Sequence, residues 1–88
     1  MARYEMGAEM ASMAEAKPTP ENFFELGMIY SAGREVDADL VAAHKWFNIA
    51  AIKGSPRAAE LRSELAASMS KQELARALRE AREWMTMH

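Results

Sequence analysis

The amino-acid sequence predicts an all-α fold of four helices, preceded by an N-terminal helical segment. Residues that favour helices, namely Ala, Leu, Met, Glu, Lys and Arg, dominate the chain, whereas β-branched residues are few. No five-residue segment alternates convincingly between apolar and polar side chains, so no strand is expected. Proline, glycine and serine divide the chain into segments of helical length at residues 17–20, 33–37, 54–56 and 70.

The length and composition indicate one small domain without cysteine chemistry. A chain of 88 residues buries a modest core and has no deep cleft between domains. Because it contains no cysteine, it has no disulfide framework, no thiolate metal site and no cysteine nucleophile. Its net charge of −2 gives no general attraction to nucleic acid or to acidic lipid.

Capping residues mark the predicted helix ends. Thr19 and Ser55 each precede a proline, which suits the first helical position because its missing N–H is no loss there. Ser70 and Glu73 fit a capping box, in which each side chain accepts from the other's backbone N–H. Gly33 stands where a left-handed residue would end the first helix. Helices are therefore expected near residues 20–32, 38–53, 56–68 and 71–85.

Each predicted helix has one apolar face with spacings of three and four residues. Helices this short are marginal alone, so packing on one another has to stabilise them. Short loops make consecutive helices antiparallel neighbours. Gly27 is expected opposite small alanines of the second helix, where it lets the two backbones approach closely. The apolar faces are Phe23, Leu26, Gly27 and Tyr30; Leu40, Ala43, Phe47, Ala50 and Ala51, with Trp46 at the edge; Ala58, Leu61 and Leu65; and Leu74, Ala77, Leu78, Ala81, Trp84 and Met85.

A faint internal repetition suggests that the helices form two equivalent pairs. The segment AHKW at residues 43–46 returns 38 residues later as AREW at residues 81–84. Leu40 returns as Leu78 at the same offset, and Leu26 has a counterpart in Leu65. Two helix pairs stacked in register would explain this pattern.

Residues 26–54, LGMIYSAGREVDADLVAAHKWFNIAAIKG, resemble the Sel-one-like repeat (SLR), an α/α unit related in shape to the tetratricopeptide repeat. The family pattern is L-G-x-x-Y-x-x-G-x-G-V-x-x-D-x-x-K-A-x-x-W-Y-x-x-A-A-x-x-G-x-x-x-A. Phe47 stands where tyrosine is usual, while Glu35 replaces the second loop glycine and Ala42 the usual lysine. The matching positions are Leu26, Gly27, Tyr30, Gly33, Val36, Asp39, Ala43, Trp46, Ala50, Ala51, Gly54 and Ala58.

The resemblance implies an SLR domain at residues 19–88, with antiparallel helix pairs stacked as a short α/α superhelix. The clear repeat covers about 23–58, and a degenerate repeat or C-terminal cap covers about 55–85. Residues 1–18 would form a Met-rich cap, helical or flexible. In that family the pattern residues are structural, and the function is to hold proteins together as adaptors or assembly scaffolds. The resemblance therefore implies a bacterial, non-catalytic module for protein–protein interaction.

The ionisable residues form no recognisable catalytic or metal-binding pattern. His44 has no acidic residue spaced to orient it on its helix, so a partly exposed surface role is expected for it. No glycine-rich phosphate loop, H-E-x-x-H or G-x-S-x-G motif occurs. Arginines and glutamates interleave on the last helix, which is typical of a salt-bridged, solvated face. We therefore expect no enzymatic activity, no metal site and no cofactor.

The alternative hypothesis is a small regulatory protein that binds nucleic acid through its last helix. Residues 53–88 carry seven basic and five acidic side chains, against four basic and eight acidic ones in residues 1–52. Arg76 and Arg79 would then be the contact residues. Glutamates among the arginines, and the lack of exposed aromatic residues between them, disfavour this function. The charge asymmetry could instead steer a head-to-tail contact between two copies.

An apolar surplus outside the predicted core favours a protein partner. Phe24 and Met28 lie on the opposite side of the first helix from its core face, and Val41 and Ile52 on the outer side of the second. The N-terminal methionines follow an i, i+4, i+7 stripe, which could cap the domain or contribute to a binding surface. A homodimer is also plausible, because so few repeats bury little surface. The predicted partner-binding residues are Phe24, Met28, Met6, Met10 and Met13, with Arg76 and Arg79 as secondary contacts.

The chain lacks the sequence features of secreted and membrane proteins. Residues 1–18 mix glutamates with methionines and have no continuous apolar core of the kind that signal peptides contain. No apolar run approaches the length needed to cross a bilayer. We therefore expect a cytoplasmic protein without a membrane partner.

Overall fold

The computed structural model describes residues 19–33 and 36–88, and this part of the chain is all-α. It contains α1 (Pro20–Ala32), α2 (Leu40–Ile52), α3 (Pro56–Ala66) and α4 (Lys71–Met87), with no strand among the described residues. The predicted fold class is confirmed, although α2 begins at Leu40 instead of residue 38 and α4 continues beyond residue 85. Within the described ranges, no helix is long and apolar enough to span a bilayer.

Side chains cap the helices as the sequence predicts. Gly33 ends α1 in the left-handed conformation, with φ at 69°, and its N–H donates to the Ile29 carbonyl at 3.1 Å. The capping box of α4 is complete, since Glu73 accepts from the Ser70 N–H at 2.9 Å. These local bonds fix where each helix begins and ends. Backbone N–H groups three residues further on donate to the side chains of Thr19, Asp39, Ser55 and Ser70.

Helix α2 lies at the centre of the fold, because the extensive interhelical packing connects it to each of the other three helices. It runs antiparallel to α1. At one end of this pair the Asp39 N–H donates to the Tyr30 carbonyl at 3.1 Å, and towards the other end the rings of Phe24 and Phe47 lie 5.8 Å apart. The first pair is therefore antiparallel, as expected.

Helix α4 packs on α2 and runs parallel to it. Near the two helix starts, the pKa of the Arg76 guanidinium is raised mainly by Glu80 and more weakly by the Asp39 carboxylate. Further along, the Trp46 and Trp84 rings meet edge to face at 5.4 Å. The same two tryptophans are equivalent in the 38-residue repetition of the sequence. The repetition thus corresponds to a parallel contact between α2 and α4.

The core lies where α1, α2 and α4 meet. Phe23 is fully buried there, and its ring stacks on Trp46 at 6.1 Å and meets the edge of Trp84 at 5.3 Å. Leu26 and Phe47 extend this cluster along the α1/α2 interface. One aromatic side chain of α1 therefore contacts both members of the parallel pair.

Three expectations about packing are wrong. The close neighbour of Gly27 is the Phe47 ring, so a large flat side chain fills the space that was assigned to alanines. Val41 is buried, because α2 is surrounded by the other helices, whereas Ile52 on the same predicted surface is exposed. Leu78 is 38% exposed and lies outside the core, since α3 and α4 pack on α2 more than on each other.

Candidate functional site

An apolar groove follows the seam between α1 and α3. Both helices pack on α2 but not closely on each other, so the space between them is open. Two hollows lie along this seam, about 440 Å³ at the helix starts and about 280 Å³ further on. Phe24 lines the first hollow and Met28, one helical turn later, lines the second. We call this surface the α1/α3 groove and define it by Phe24, Met28, Phe47, Leu61 and Leu65.

The structure places the two predicted contact residues of α1 together in this groove. Met28 is 41% exposed, so its thioether is accessible. Phe24 is half-buried and packs against the core, with one side of its ring towards Phe47. Leu61 and Leu65 form the opposite wall, although the sequence placed them on a core face. Both are half-buried, so they serve the core and the groove together, which helical periodicity alone does not reveal.

The charged residues that line the groove are mostly acidic. Glu21 and Glu25 lie beside the first hollow and Glu64 beside the second, whereas Arg57 is the basic residue among the lining residues. All four side chains are exposed. An apolar floor with an acidic rim attracts a ligand that combines apolar and basic groups.

The predicted secondary contacts lie on a different surface. Arg76 pairs with Glu80 on α4, with Nε and Oε2 2.8 Å apart, and Arg79 lies 3.8 Å from the Glu83 carboxylate in the same way. The expectation of a salt-bridged, solvated face is therefore confirmed. Because each arginine has an acidic neighbour one turn later, the positive charge of this face is largely compensated.

The remaining predicted contact residues lie outside the described part of the chain. They are Met6, Met10 and Met13, together with the predicted N-terminal cap. Their contact with the domain therefore stays a prediction.

His44 is buried, contrary to the expectation of a partly exposed surface residue. Only 2% of its surface is exposed, and its Nδ1 atom is buried without a hydrogen-bond partner. Burial, reinforced by the nearby positive charge of Arg62, lowers the pKa of the imidazole below its ordinary value. Arg62 also donates to the Oδ1 atom of the largely buried Asn48 at 2.7 Å. Helical periodicity does not reveal this cluster, because its members come from two helices.

Folding stability should fall as the pH is lowered through about 6.5, the ordinary pKa of histidine. In this range His44 binds a proton in the unfolded chain but not in the folded protein, because folding lowers the pKa of its imidazole. The free energy of unfolding therefore rises with pH between the lowered pKa and 6.5 and is level above that window. Urea denaturation between about pH 5.5 and about pH 7.5 measures this slope.

The two histidines of the chain provide the matched comparison for this measurement. His44→Leu should remove the slope, and should also remove the cost of the unpartnered buried nitrogen. His88→Gln should retain the contribution of His44 to the slope, because this substitution leaves the buried imidazole of His44 in place. Equal slopes in both variants would show that His44 is not the titrating group.

Comparisons of this chain with protein-family models, with curated proteins and with solved structures found no match. Among residues 19–33 and 36–88, no three His, Asp or Glu side chains come together in a group that could hold a metal ion. The functional interpretation therefore depends on the groove, its charged rim and the SLR resemblance of the sequence.

Proposed function

We propose that this protein is a non-catalytic protein-interaction module, an adaptor or assembly scaffold of the bacterial cytoplasm. In this proposal α1 and α2 form one Sel-one-like repeat, and α3 and α4 form a degenerate second one. The observation that carries the proposal is the α1/α3 groove, an open apolar seam next to the buried core. A concave surface lined by apolar side chains favours an interaction site.

The shape of the groove suits a helical segment of a partner protein. Phe24 and Met28 are one turn apart on α1, and Leu61 and Leu65 are one turn apart on α3. A partner helix with apolar side chains at positions i and i+4 can place them between these two rows. Methionine adapts its side chain to irregular surfaces, so Met28 supports contact with such a segment.

The charge of the rim specifies the partner further. Three of the four charged residues that line the groove are acidic. Lys or Arg residues beside the apolar positions of the partner would face them, which increases the association rate and fixes orientation. The proposed occupant is therefore an amphipathic helix with a basic flank, supplied by another protein.

Two other occupants are less complementary to an acidic rim. Residues 1–18 of the chain itself carry three glutamates against one arginine and one lysine, so they bring no basic excess. A second copy could bring its α4, but Arg76 and Arg79 already pair with glutamates on that helix. The same pairing weakens the case for nucleic-acid binding by α4, because compensated charge releases few counterions.

Met28→Glu should abolish partner binding and leave the helical fold nearly unchanged. The substitution places a charge on the apolar floor, close to the acidic rim, while the exposed position limits the change in stability to about 0.5 kcal/mol. The test is selection of binders from a library of displayed amphipathic peptides, with circular dichroism of each variant. The enriched peptides should carry Lys or Arg beside apolar residues at i and i+4, and they should bind the Met28→Glu variant at least about tenfold more weakly.

Met87→Glu is the matched control, because Met87 is 78% exposed and lies at the far end of α4. This variant should bind the selected peptides as the original protein does. Enrichment of acidic peptides, or equal loss in both methionine variants, would contradict the proposed occupant. Sedimentation analysis tests whether the occupant is a second copy of the chain. A dimer that forms in the original protein and is lost in the Met28→Glu variant would identify that occupant.

A further inference from the structure

A separate hollow with different chemistry lies between α2, α3 and α4. It measures about 240 Å³ and opens where α3 and α4 diverge. Arg62, Asn48 and His44 supply its polar side, and Leu74 and Leu78 supply its apolar side. We call this the α3/α4 pocket. It shares no lining residue with the α1/α3 groove.

The polar side of this pocket presents hydrogen-bond donors and a positive charge. Arg62 uses Nη1 to donate to the Asn48 Oδ1 atom, which holds the guanidinium in place and leaves its other N–H groups available. With that oxygen engaged, the Asn48 amide group is left to donate. Among the described residues no carboxylate lines the pocket, and none lies within ion-pair distance of Arg62. A fixed guanidinium without an acidic neighbour favours a carboxylate ligand.

The apolar side selects an aliphatic group on the same ligand. Leu74 and Leu78 project from α4 into the opening, and 38% of the Leu78 surface is exposed. A ligand chain that covers these side chains would remove apolar surface from water. Leu74 and Leu78 are one helical turn apart, about 6 Å along α4, which matches an aliphatic chain of a few carbon atoms beyond the carboxylate.

We propose that the α3/α4 pocket binds an aliphatic carboxylate, with Arg62 paired to the carboxylate and the chain packed on Leu74 and Leu78. His44 forms the inner end of the polar side, where the negative charge of the ligand would offset the effect of Arg62 on the imidazole. This activity is separate from the proposed protein-interaction function, since it uses other residues. Either a free short-chain acid or the terminal carboxylate of a polypeptide could supply the chemistry.

The test is a titration of the full chain with hexanoate, followed by nuclear magnetic resonance of the His44 ring and the leucine methyl groups. Saturable shifts at His44, Leu74 and Leu78 are expected, together with a higher His44 pKa in the bound state. Hexan-1-ol has the same aliphatic chain without the charge and should bind at least about tenfold more weakly. Equal binding of the alcohol, or no saturation with hexanoate and with the peptide described below, would overturn the proposal.

Variants separate the role of Arg62 from a general effect of charge. Arg62→Gln should weaken hexanoate binding by about tenfold or more, since a charged hydrogen bond is lost. Arg82→Gln removes an exposed arginine of α4 outside the pocket and should leave the affinity unchanged. If Arg62→Gln fails to fold, Leu78→Asp tests whether the carboxylate binds in this pocket. This substitution places a negative charge on an exposed wall of the pocket, where it would repel the ligand. Unchanged affinity in the folded Arg62 or Leu78 variant would overturn the assignment.

A second titration, with peptides, distinguishes the two sources of the carboxylate. A short peptide that ends in leucine with a free terminal carboxylate is compared with its amidated form and with hexanoate. Tighter binding of the free-carboxylate peptide than of hexanoate assigns the pocket to polypeptide termini, whereas tighter binding of hexanoate assigns it to free acids. Both outcomes require Arg62, and equal binding of the amidated and free peptides would contradict the recognition of a carboxylate.

Discussion

Gly27→Leu is expected to unfold most of the protein under conditions in which the original chain is folded. A Cβ atom at this position would lie 2.9 Å from Cγ of Phe47 and closer still to two other ring atoms. Neither side can yield easily, because Phe47 is fully buried and α1 and α2 hold its ring between them. Extra methylene groups in a packed core cost about 1–3 kcal/mol, and a whole leucine side chain in the place of an aromatic ring costs more. A domain this small is expected near the lower limit of stability, roughly 5 kcal/mol, so this loss removes most of it. Circular dichroism and urea denaturation measure the loss.

The smaller substitution Gly27→Ala gives a sharper form of this prediction, because helix propensity and packing oppose each other. Alanine in a helix interior is ordinarily about 1 kcal/mol more favourable than glycine. At residue 27 the added methyl group would overlap the Phe47 ring, so a net destabilisation of about 1–2 kcal/mol is expected instead. Ser31→Ala, one turn later on the same helix, should follow helix propensity and be neutral or slightly stabilising.

A double-mutant cycle assigns the effect to the contact between these two residues. Phe47→Leu replaces the ring by a side chain that can move away, so Gly27→Ala should cost less in that background, with a coupling of about 1 kcal/mol. A stabilising effect of Gly27→Ala in the original chain would show that the helix pair tolerates a wider separation. That result would contradict the close packing of α1 and α2 described above. It would also contradict the proposal that these two helices form one repeat.

The helices and their ends could be predicted from the sequence because local chemistry determines them. Thr19, Ser55 and Ser70 cap helices through atoms that lie within three residues in the chain. Gly33 ends α1 by its own backbone freedom. The 38-residue repetition added long-range information, since it related Trp46 to Trp84 before any contact between them was known.

Side-chain environments at the junction of three helices could not be predicted in the same way. The sequence predicts a surface position for His44 because this residue lies beside the face of α2 that contacts α1. In the structure, α3 and α4 cover the other side of α2 and bury His44. The contact of Gly27 with Phe47 instead of alanines has a different cause, because periodicity shows the face of α2 but not which of its side chains lies opposite a given residue of α1. A periodic pattern shows which residues share a face of a helix, but the number of helices that cover this face depends on tertiary packing.

The sequence predicts the α1 wall of the candidate groove but not its α3 wall. Phe24 and Met28 are predicted contact residues because they are apolar and lie on the side of α1 opposite its core face. Their partners Leu61 and Leu65 did not, because each belongs to the only apolar face of α3 and was assigned to the core. The gap that makes these leucines accessible arises from the way α1 and α3 pack separately on α2, which no single segment encodes.

Phe23→Ala should destabilise the protein by about 3–5 kcal/mol, one of the largest losses expected for a single truncation. Phe23 is fully buried and its ring contacts both Trp46 and Trp84, so the substitution leaves a cavity between α1, α2 and α4. The gap cannot close by a small shift, because the two tryptophans also contact each other edge to face at 5.4 Å. Urea denaturation measures the loss, and tryptophan fluorescence reports the change at the cavity directly.

The adjacent phenylalanine is the matched control for this substitution. Phe24→Ala removes the same side chain from a half-buried position in the α1/α3 groove, so its cost to stability should be clearly smaller. The same variant should weaken the binding of the selected peptides, whereas a folded Phe23→Leu variant should retain it. Equal destabilisation by Phe23→Ala and Phe24→Ala would mean that α1 is rotated relative to the structure described. The neighbouring pair therefore tests the separation of core and groove on which the proposed function depends, since one helix has to present Phe23 to the tryptophans and Phe24 to the partner.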